Sequence, residues 1–242
     1  PGARKIGQQL HIPKMLSIAA AAYTSGSPTY TANTEEEVLV NPQISVAAVE
    51  IARAVYNRMP SSPDSPYREM LRAGLAEFRD VACASLATGL SVNIKGSALA
   101  SIDKGLLLDA QQALTISAER RYKPGVTPWY IKIHPLQLKN CMSIFDLTAD
   151  YVRGDSERPL VSGWMSKVLG ANIDESGNVL NSGGIIHNLA YLSEAFVMAF
   201  NEESTVLPAQ AIEPVTRLIA TEEFGVAEAF DKFAVDIQTG QN

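Results

Sequence analysis

The three histidines are the first side chains to weigh for chemistry, because imidazole titrates near neutral pH and commonly binds metal ions. His11, His134 and His187 are scattered over 242 residues, and none stands at a metal-ligand spacing from another histidine or a cysteine. His134 precedes Pro135 where a strand pattern gives way to a helix pattern, a place where α/β enzymes often carry catalytic residues. The interpretation we favour is structural, with His134 capping that helix or satisfying backbone groups at the turn.

Two pairs of neighbouring carboxylates could bind calcium or act as an acid and a base. Asp155 with Glu157, and Asp174 with Glu175, both lie in polar segments. A calcium site needs about six to eight oxygen ligands, and the sequence around these pairs does not supply them. We therefore expect both pairs to lie in solvated loops.

The two cysteines offer little for catalysis. Cys83 flanks the apolar face of a helix pattern and has no basic residue nearby in sequence that would favour a thiolate, so we expect it to be buried and unreactive. Cys83 and Cys141 lie far apart without paired spacing, which indicates neither a disulfide scaffold nor a zinc site. Two free thiols fit a reducing compartment.

The remaining sequence signals also point away from an enzyme. There is no glycine-rich phosphate loop and no nucleophile elbow. We therefore predict no catalytic, cofactor-binding or metal-binding residues. The formal charge of −6 and the pI near 5.2 argue against nucleic-acid binding through a cationic surface. No apolar run approaches the ~20 residues of a membrane span, and no signal-peptide pattern begins the chain.

The most regular element is a long amphipathic helix predicted over residues 64–88 and ended by Gly89. Its apolar residues recur at three- and four-residue spacing, which predicts a single buried face made of Tyr67, Met70, Leu71, Leu75, Phe78, Val81, Ala82 and Leu86. Charged residues, among them Arg79 and Asp80, cover most of the remaining surface. Nothing along this helix indicates chemistry, so we expect a structural role.

The first forty residues predict a long two-stranded excursion. Strand patterns at 8–15 and 35–40 flank a segment at 24–33 that is rich in Ser, Thr, Gly and Pro, as expected of an exposed tip. Such a hairpin is only marginally stable alone and needs a partner surface.

The rest of the chain mixes helices and strands. The patterns predict a helix at 105–119, a strand at Trp129–Ile133 followed by a helix from Pro135, and strands at 171–173 and Ile185–Tyr191. A helical turn is predicted at 163–169, and a short helix capped by Ser193 should run through Phe200. Two strands are predicted within 217–238, where Phe233, Val235 and Ile237 alternate with other residues.

The order of these segments resembles the major capsid proteins of tailed bacteriophages, which have the Hong Kong 97-like fold. GQQLHIPKM and TEEEVLVNPQISVAAVEI look like the two arms of that family's extended loop, and SPYREMLRAGLAEFRDVACASLATGL looks like its spine helix. The closest match is LLLDAQQALTISAERRYKPGVTPWYIKIHPLQLKNCMSIFDLTADYVRG. Weaker similarities are GWMSKVLGANIDESGNV, HNLAYLSEAFVMAF and RLIATEEFGVAEAFDKFAVDIQ.

The resemblance implies an α+β fold with an extended β-hairpin loop, a long spine helix in a peripheral domain, and a central α/β domain. The implied boundaries are an N-terminal arm remnant at 1–9, the extended loop at 10–40, a peripheral domain at 41–95 and 210–242 with the spine helix at 64–88, and a central domain at 96–209. The start at Pro1 fits both proteolytic removal of an N-terminal segment and routine removal of an initiator Met.

The implied function is self-assembly into the icosahedral shell of a virion that encloses double-stranded DNA. The expected partners are other copies in hexamers and pentamers, with scaffold and decoration proteins. DNA would be confined without sequence-specific binding, in keeping with the acidic charge. Assembly would take place in the host bacterial cytoplasm, with no membrane involved. Some relatives join their subunits through a loop lysine, but no lysine occurs between Lys14 and Lys95, so we expect a non-covalent shell.

Three alternatives remain open from the sequence. An encapsulin-like compartment shell would share the fold but package enzymes instead of DNA. A soluble α/β enzyme or ligand-binding protein would use the unit at 129–147, with His134 as its only nominated polar residue. A tail or tube component would be an oligomeric module without a closed shell.

Overall fold

The computed structural model describes residues 9–14, 36–57, 64–118, 122–123, 125–143, 167–207, 210–212 and 215–240. The helices are α1 (Arg53–Tyr56), α2 (Asp64–Ser85), α3 (Lys104–Ser117) and α4 (Pro135–Ser143), with short 3₁₀ turns at Leu86–Gly89 and Asp231–Phe233. The strands are β1 (Leu10–Lys14), β2 (Glu36–Val40), β3 (Gln43–Ala52), β4 (Ile94–Gly96), β5 (Trp129–Ile133), β6 (Lys167–Val168), β7 (Ala171–Glu175), β8 (Asn181–Ser182), β9 (Ile185–Tyr191), β10 (Phe196–Val206), β11 (Gln210–Ile212), β12 (Val215–Glu228) and β13 (Ala234–Gly240).

Seven of these strands form one mixed sheet, which we name the central sheet. Its order is β4-β13-β9-β5-β7-β6, with β8 paired to β9. The pairs β5–β7 and β4–β13 are parallel, and the others are antiparallel. One apolar core joins this sheet to the helices α3 and α4, through buried residues that include Leu107, Leu114, Ile131, Leu138 and Cys141. The predicted strand-to-helix unit beginning at Trp129 is therefore present.

The second sheet, which we name the peripheral sheet, is built around the long strand β12. Antiparallel β10 and β11 pair with β12, and so does antiparallel β3. The helix α2 lies against this sheet, where Leu71 and Leu75 pack with Leu218 and Ala220. Helix α2 therefore packs against β12, whereas Val235 and Ile237 belong to the core of the central sheet.

The predicted buried face of α2 is only partly right. Leu71 and Leu75 are buried, but Met70, Phe78 and Val81 are 58%, 53% and 44% exposed. The reason is that the helix, together with the turn that follows it, packs against two sheets. Its first half packs on the peripheral sheet, while Ala84 and the following Ala87 are buried at its C-terminal end, and Ala87 belongs to the core of the central sheet. A helix with two partners does not bury one continuous stripe.

The short helix predicted from Ser193 to Phe200 is wrong. Residues 193–195 form a turn, and the chain from Phe196 is strand β10, which pairs with β12 from Phe196↔Glu228 onward. Ala and Met favour helix locally, but pairing with a long neighbouring strand overrides this weak preference. The predicted helical turn at 163–169 falls partly outside the described residues, and its described end includes strand β6.

Two strands lie in a different sheet from the one that the predicted domain boundaries imply. Strand β10, expected in the central domain, pairs with β12 in the peripheral sheet, and strand β13, expected in the peripheral domain, lies between β4 and β9 in the central sheet. Sequence order could not reveal this because β12 and β13 are consecutive but pair with different partners. Among the described residues, no helix is both long and apolar enough to cross a membrane.

Candidate assembly surfaces

The structure assigns His134 the capping role that the sequence favoured. Its Nδ1 accepts a hydrogen bond from the Leu136 backbone N–H at 3.2 Å, and its carbonyl accepts from Gln137 and Leu138. Its own backbone N–H donates to Asn188 Oδ1 at 2.9 Å. The side chain and backbone of His134 thus hold the start of α4 against β9.

The other two histidines each meet a carboxylate. His11 Nδ1 lies 2.6 Å from Glu37 Oε2 across the β1–β2 pair, on the surface. His187 Nδ1 lies 2.9 Å from Asp236 Oδ2, and both side chains are buried. Gln238 Nε2 donates to the same Asp236 oxygen at 2.8 Å. Sequence analysis missed the His187–Asp236 pair because its members are far apart and meet only through the β9–β13 pairing.

Of the two carboxylate pairs, only Asp174 with Glu175 lies among the described residues, and it does not form a site there. Asp174 is exposed at the end of β7, with Oδ2 3.5 Å from Lys132 Nζ, and Glu175 is also exposed. Asp155 and Glu157 lie outside the described residues. Within the described part of the chain, no cluster of three His, Cys, Asp or Glu side chains is arranged to hold a metal ion.

The cysteines differ in their surroundings. Cys141 is buried in the central core, and burial raises its pKa to about 12. Cys83 is half-buried, and the expectation that it has no basic neighbour is wrong, because Lys132 lines the same cavity and the charge of Arg79, four residues earlier on α2, also acts to lower its pKa. Burial raises the pKa of Cys83, and the Lys132 charge only partly opposes this. Both thiols therefore stay protonated at neutral pH.

Asp80 is the polar link between the long helix and the central sheet. It is ion-paired and hydrogen-bonded to Lys132 on β5, and its Oδ2 accepts from Ser176 Oγ at 2.6 Å and Asn178 Nδ2 at 3.0 Å. Burial tends to raise the pKa of Asp80, but these hydrogen bonds and the Lys132 charge outweigh it and lower that pKa. Sequence analysis placed Asp80 on the solvent-facing side of the helix. We name these four residues the Asp80 junction.

A second buried charge links α2 to the peripheral sheet. Glu222 on β12 is fully buried, and its Oε2 lies 3.5 Å from Arg79 Nε. Among the described residues, neither carboxylate oxygen of Glu222 has a hydrogen-bond partner. The Arg79 guanidinium also lies over the Phe200 ring at 5.6 Å. Burial raises the pKa of Glu222, and Arg79 opposes the rise.

Replacing Arg79 by Met should destabilise the subunit by about 2 kcal/mol at pH 7, because Glu222 would be left as a buried charge without a partner. The loss should shrink as the pH falls toward 5. The folded-state pKa of Glu222 lies above its unfolded value, so the folded protein takes up this proton first and the charge disappears. Chemical unfolding at both pH values measures the effect.

The exposed Arg72→Met is the matched control and should change stability by less than about 0.5 kcal/mol. The double variant Arg79→Met with Glu222→Leu should recover most of the stability, since both charges are then absent. A loss for Arg79→Met that is the same at pH 7 and pH 5 would contradict this account of Glu222.

The base of the predicted hairpin is docked on the subunit itself. Strands β1 and β2 pair from Leu10↔Val40 to Lys14↔Glu36, and residues 15–35 lie outside the described part. Val38 and Val40 are buried with Ala229 and pack against Val197 and Ala227. At Gly225 the approach is so close that an added Cβ would lie 2.7 Å from Val40 Cγ1 and 2.8 Å from the Asn41 carbonyl oxygen. The described base of the hairpin thus packs on its own subunit.

Lys14 belongs to this docked base. Its Nζ lies 3.9 Å from Glu36 Oε2 and 5.5 Å from the centre of the Phe230 ring. The lysine nearest the predicted loop tip is therefore engaged with the body of its own subunit.

Apolar side chains are exposed on two elements of the peripheral part. Met70, Phe78 and Val81 lie on α2, and we name them the outer helix stripe. Ile44 and Val46 are exposed on β3. Clustered exposed apolar residues of this kind commonly mark protein–protein contacts.

Known proteins similar to this chain are found among the solved structures. No protein-family model matches the sequence, and no curated protein matches it significantly. Solved structures do match. A protein of Mycobacterium phage Che8 is similar over 97% of this chain and 85% of its own, with a TM-score of 0.69 and 18% identity.

Two further structures extend the comparison. The capsid structure of cyanophage P-SCSP1u matches over 99% of this chain and 85% of its own, with a TM-score of 0.70 and 14% identity. The capsid of a native gene transfer agent particle matches over 98% and 86%, with a TM-score of 0.66 and 11% identity. With nearly the whole chain covered in each case, this protein has the Hong Kong 97-like fold of the tailed-phage major capsid proteins.

Proposed function

We propose that this chain is a major capsid protein that assembles into the icosahedral shell of a tailed phage and encloses its double-stranded DNA. The observation that carries the proposal is the coverage of the match, since 99% of the chain corresponds to 85% of a phage capsid protein without a large unmatched part. A fold alone does not fix a function. Here, however, the fold comes with exposed apolar surfaces suited to contacts between copies.

The proposed partners follow from this role. Copies of the chain would form the hexamers and pentamers of the shell, with exposed apolar residues on α2 and β3 among the contact surfaces. Scaffold and decoration proteins are further partners of the same kind of particle. The net charge of −6 supports a lining that confines DNA through repulsion and not through specific binding. The protein would act without catalysis and reside in the virion after assembly in the host cytoplasm.

Electron microscopy with light scattering of the expressed protein tests the proposal. We expect closed icosahedral particles, formed alone or with a scaffold protein. Particles isolated from infected cells should contain DNA, whereas an encapsulin-like shell would contain protein cargo. Monomers or dimers that persist under all conditions, including with a scaffold partner, would reject the shell function.

Replacing Phe78 by Asp should reduce assembly while leaving the subunit folded. Phe78 is half-exposed in the subunit and packs edge-on against Phe224, with ring centres 5.9 Å apart. Loss of that contact should cost only about 1 kcal/mol, but a charge in the outer helix stripe would oppose burial between copies. Thermal unfolding followed by circular dichroism reports folding, and light scattering reports assembly.

Glu77→Gln is the control for Phe78→Asp and should assemble normally, because Glu77 is exposed next to Phe78. If Phe78→Asp also assembles normally, the outer helix stripe is not an interface between subunits. If it fails to fold, then the packing of Phe78 on Phe224 matters more than its exposure indicates.

A further inference from the structure

A small cavity lies where the long helix meets both sheets. It has a volume of about 150 Å³. Cys83 and Leu86 contribute from the C-terminal end of α2 and the turn that follows it, Leu189 and Tyr191 from the central sheet, and Phe196 and Val226 from the peripheral sheet. The space is partly open to solvent, and its walls come from α2 with the turn that follows it and from both sheets.

The walls of this cavity are mostly apolar, and its one cation is already neutralised. Lys132 lines the cavity, but its ammonium is ion-paired with Asp80 and lies 3.5 Å from Asp174 Oδ2. The Cys83 thiol is protonated, as its raised pKa requires. A charged ligand would therefore find no free counter-charge, whereas an apolar one would gain free energy by leaving water.

We propose that this cavity is a binding site for one small, uncharged, apolar or aromatic molecule. Apolar cavities near 150 Å³ in other proteins accept molecules of benzene size, so about six to eight non-hydrogen atoms fit here. The aromatic rings of Tyr191 and Phe196, whose centres are 5.7 Å apart, provide an edge against which a flat ligand can pack.

Binding at this position has a structural consequence. Because the walls come from α2, the central sheet and the peripheral sheet, a bound molecule contacts all three at once. A ligand that binds only the folded arrangement raises its stability by mass action. The site thus provides a point at which a small molecule stiffens the junction between the two sheets.

The two cysteines provide a probe thiol and a control thiol within the same protein. Cys83 lines the cavity, while Cys141 is fully buried in the central core with a pKa of about 12. We would measure alkylation of each thiol by iodoacetamide, by mass spectrometry, with increasing benzene. Cys83 should be protected about tenfold when benzene reaches ten times its Kd. The unfolding temperature should rise over the same concentrations, and Cys141 should stay unreactive throughout.

Two variants fill the cavity from different sides. Val226→Phe adds a ring within it, and Met198→Trp adds one from the partly exposed position of Met198, so that at least one should fold. Ile116→Trp, at an exposed position on α3, is the control and should behave as the wild type. In a folded filling variant, benzene should no longer raise the unfolding temperature. Benzene that neither protects Cys83 nor raises this temperature, or that acts equally on the filling variants, would overturn the proposal.

Discussion

Replacing Asp80 by Ala should destabilise the subunit by about 3 kcal/mol, because the buried Lys132 ammonium would lose its main partner. Ser176 and Asn178 would also lose the carboxylate oxygen to which both donate hydrogen bonds. The Asp80 junction is the polar contact that ties α2 to the central sheet, so its loss should loosen the link between the sheets. Equilibrium unfolding in urea measures the change.

The control is Asp174→Asn, which removes the exposed carboxylate on the other side of Lys132. An exposed partner at 3.5 Å should be worth less than about 1 kcal/mol. Equal losses for Asp80→Ala and Asp174→Asn would show that burial does not distinguish the two ion pairs and would contradict the role given to Asp80.

The contribution of Asp80 should depend on pH in a defined direction. Its folded-state pKa lies below the unfolded value of 3.8, so its stabilisation is present above pH 3.8 and is lost as the pH falls through the folded-state pKa. Lys132 behaves in the opposite sense: burial lowers its pKa, but the hydrogen bonds and charges of Asp80 and Asp174 together outweigh burial and raise that pKa. Its contribution is fully present below the unfolded-state pKa of 10.5 and is lost as the pH rises through the higher folded-state pKa. The stability difference between wild type and Asp80→Ala should therefore shrink at both the acidic and the alkaline end of the pH range.

Replacing Gly225 by Ala should destabilise the subunit by about 2 kcal/mol and displace the hairpin base. The new methyl group would lie within 3 Å of Val40 Cγ1 and of two backbone atoms of Asn41, the carbonyl carbon and oxygen, so a rotamer change cannot relieve the overlap. Hydrogen exchange should show faster exchange in β2, and under the proposed function the variant should yield fewer shells.

The same substitution at another glycine is the matched control for Gly225→Ala. Gly74 lies in the middle of α2, and an added Cβ there would meet no atom within 4 Å. Gly74→Ala should stabilise the subunit by about 0.5–1 kcal/mol, because alanine favours helix over glycine. Opposite signs at the two sites are expected. Stabilisation by both Gly225→Ala and Gly74→Ala would mean that the hairpin base does not pack closely against β12.

Local patterns predicted several helices and strands of the central part of the chain. Strand β9 was predicted with its observed bounds, Ile185–Tyr191, and the helix at 105–119 corresponds to α3, at Lys104–Ser117. The strand at Trp129 and the helix at Pro135 were also found in place. The buried residues of α3 and α4 follow the helical period, whereas β5 and β9 are short apolar strands buried along most of their length. The role of His134 could be anticipated because capping involves only residues nearby in sequence.

Contacts between residues that are far apart in sequence could not be predicted from local patterns. The partners of Asp80 lie on β5 and in the turn after β7, and the partner of His187 lies on β13. Strand β10 was predicted as helix because its sequence alone does not reveal the long strand beside it. The exposure of Phe78 depends on how α2 divides its surface between two sheets.

For this protein the sequence by itself determined most elements, their order, and through that order the resemblance that the structural match supports. These follow from local periodicity and from turn residues, which act over a few positions. Only the tertiary structure decided that β12 and β13 join different sheets, that the charged residues Arg79 and Asp80 of α2 are anchors, and that the hairpin base rests on Gly225. The physical reason is that burial and charge pairing depend on which surfaces meet, and that is a property of the folded chain.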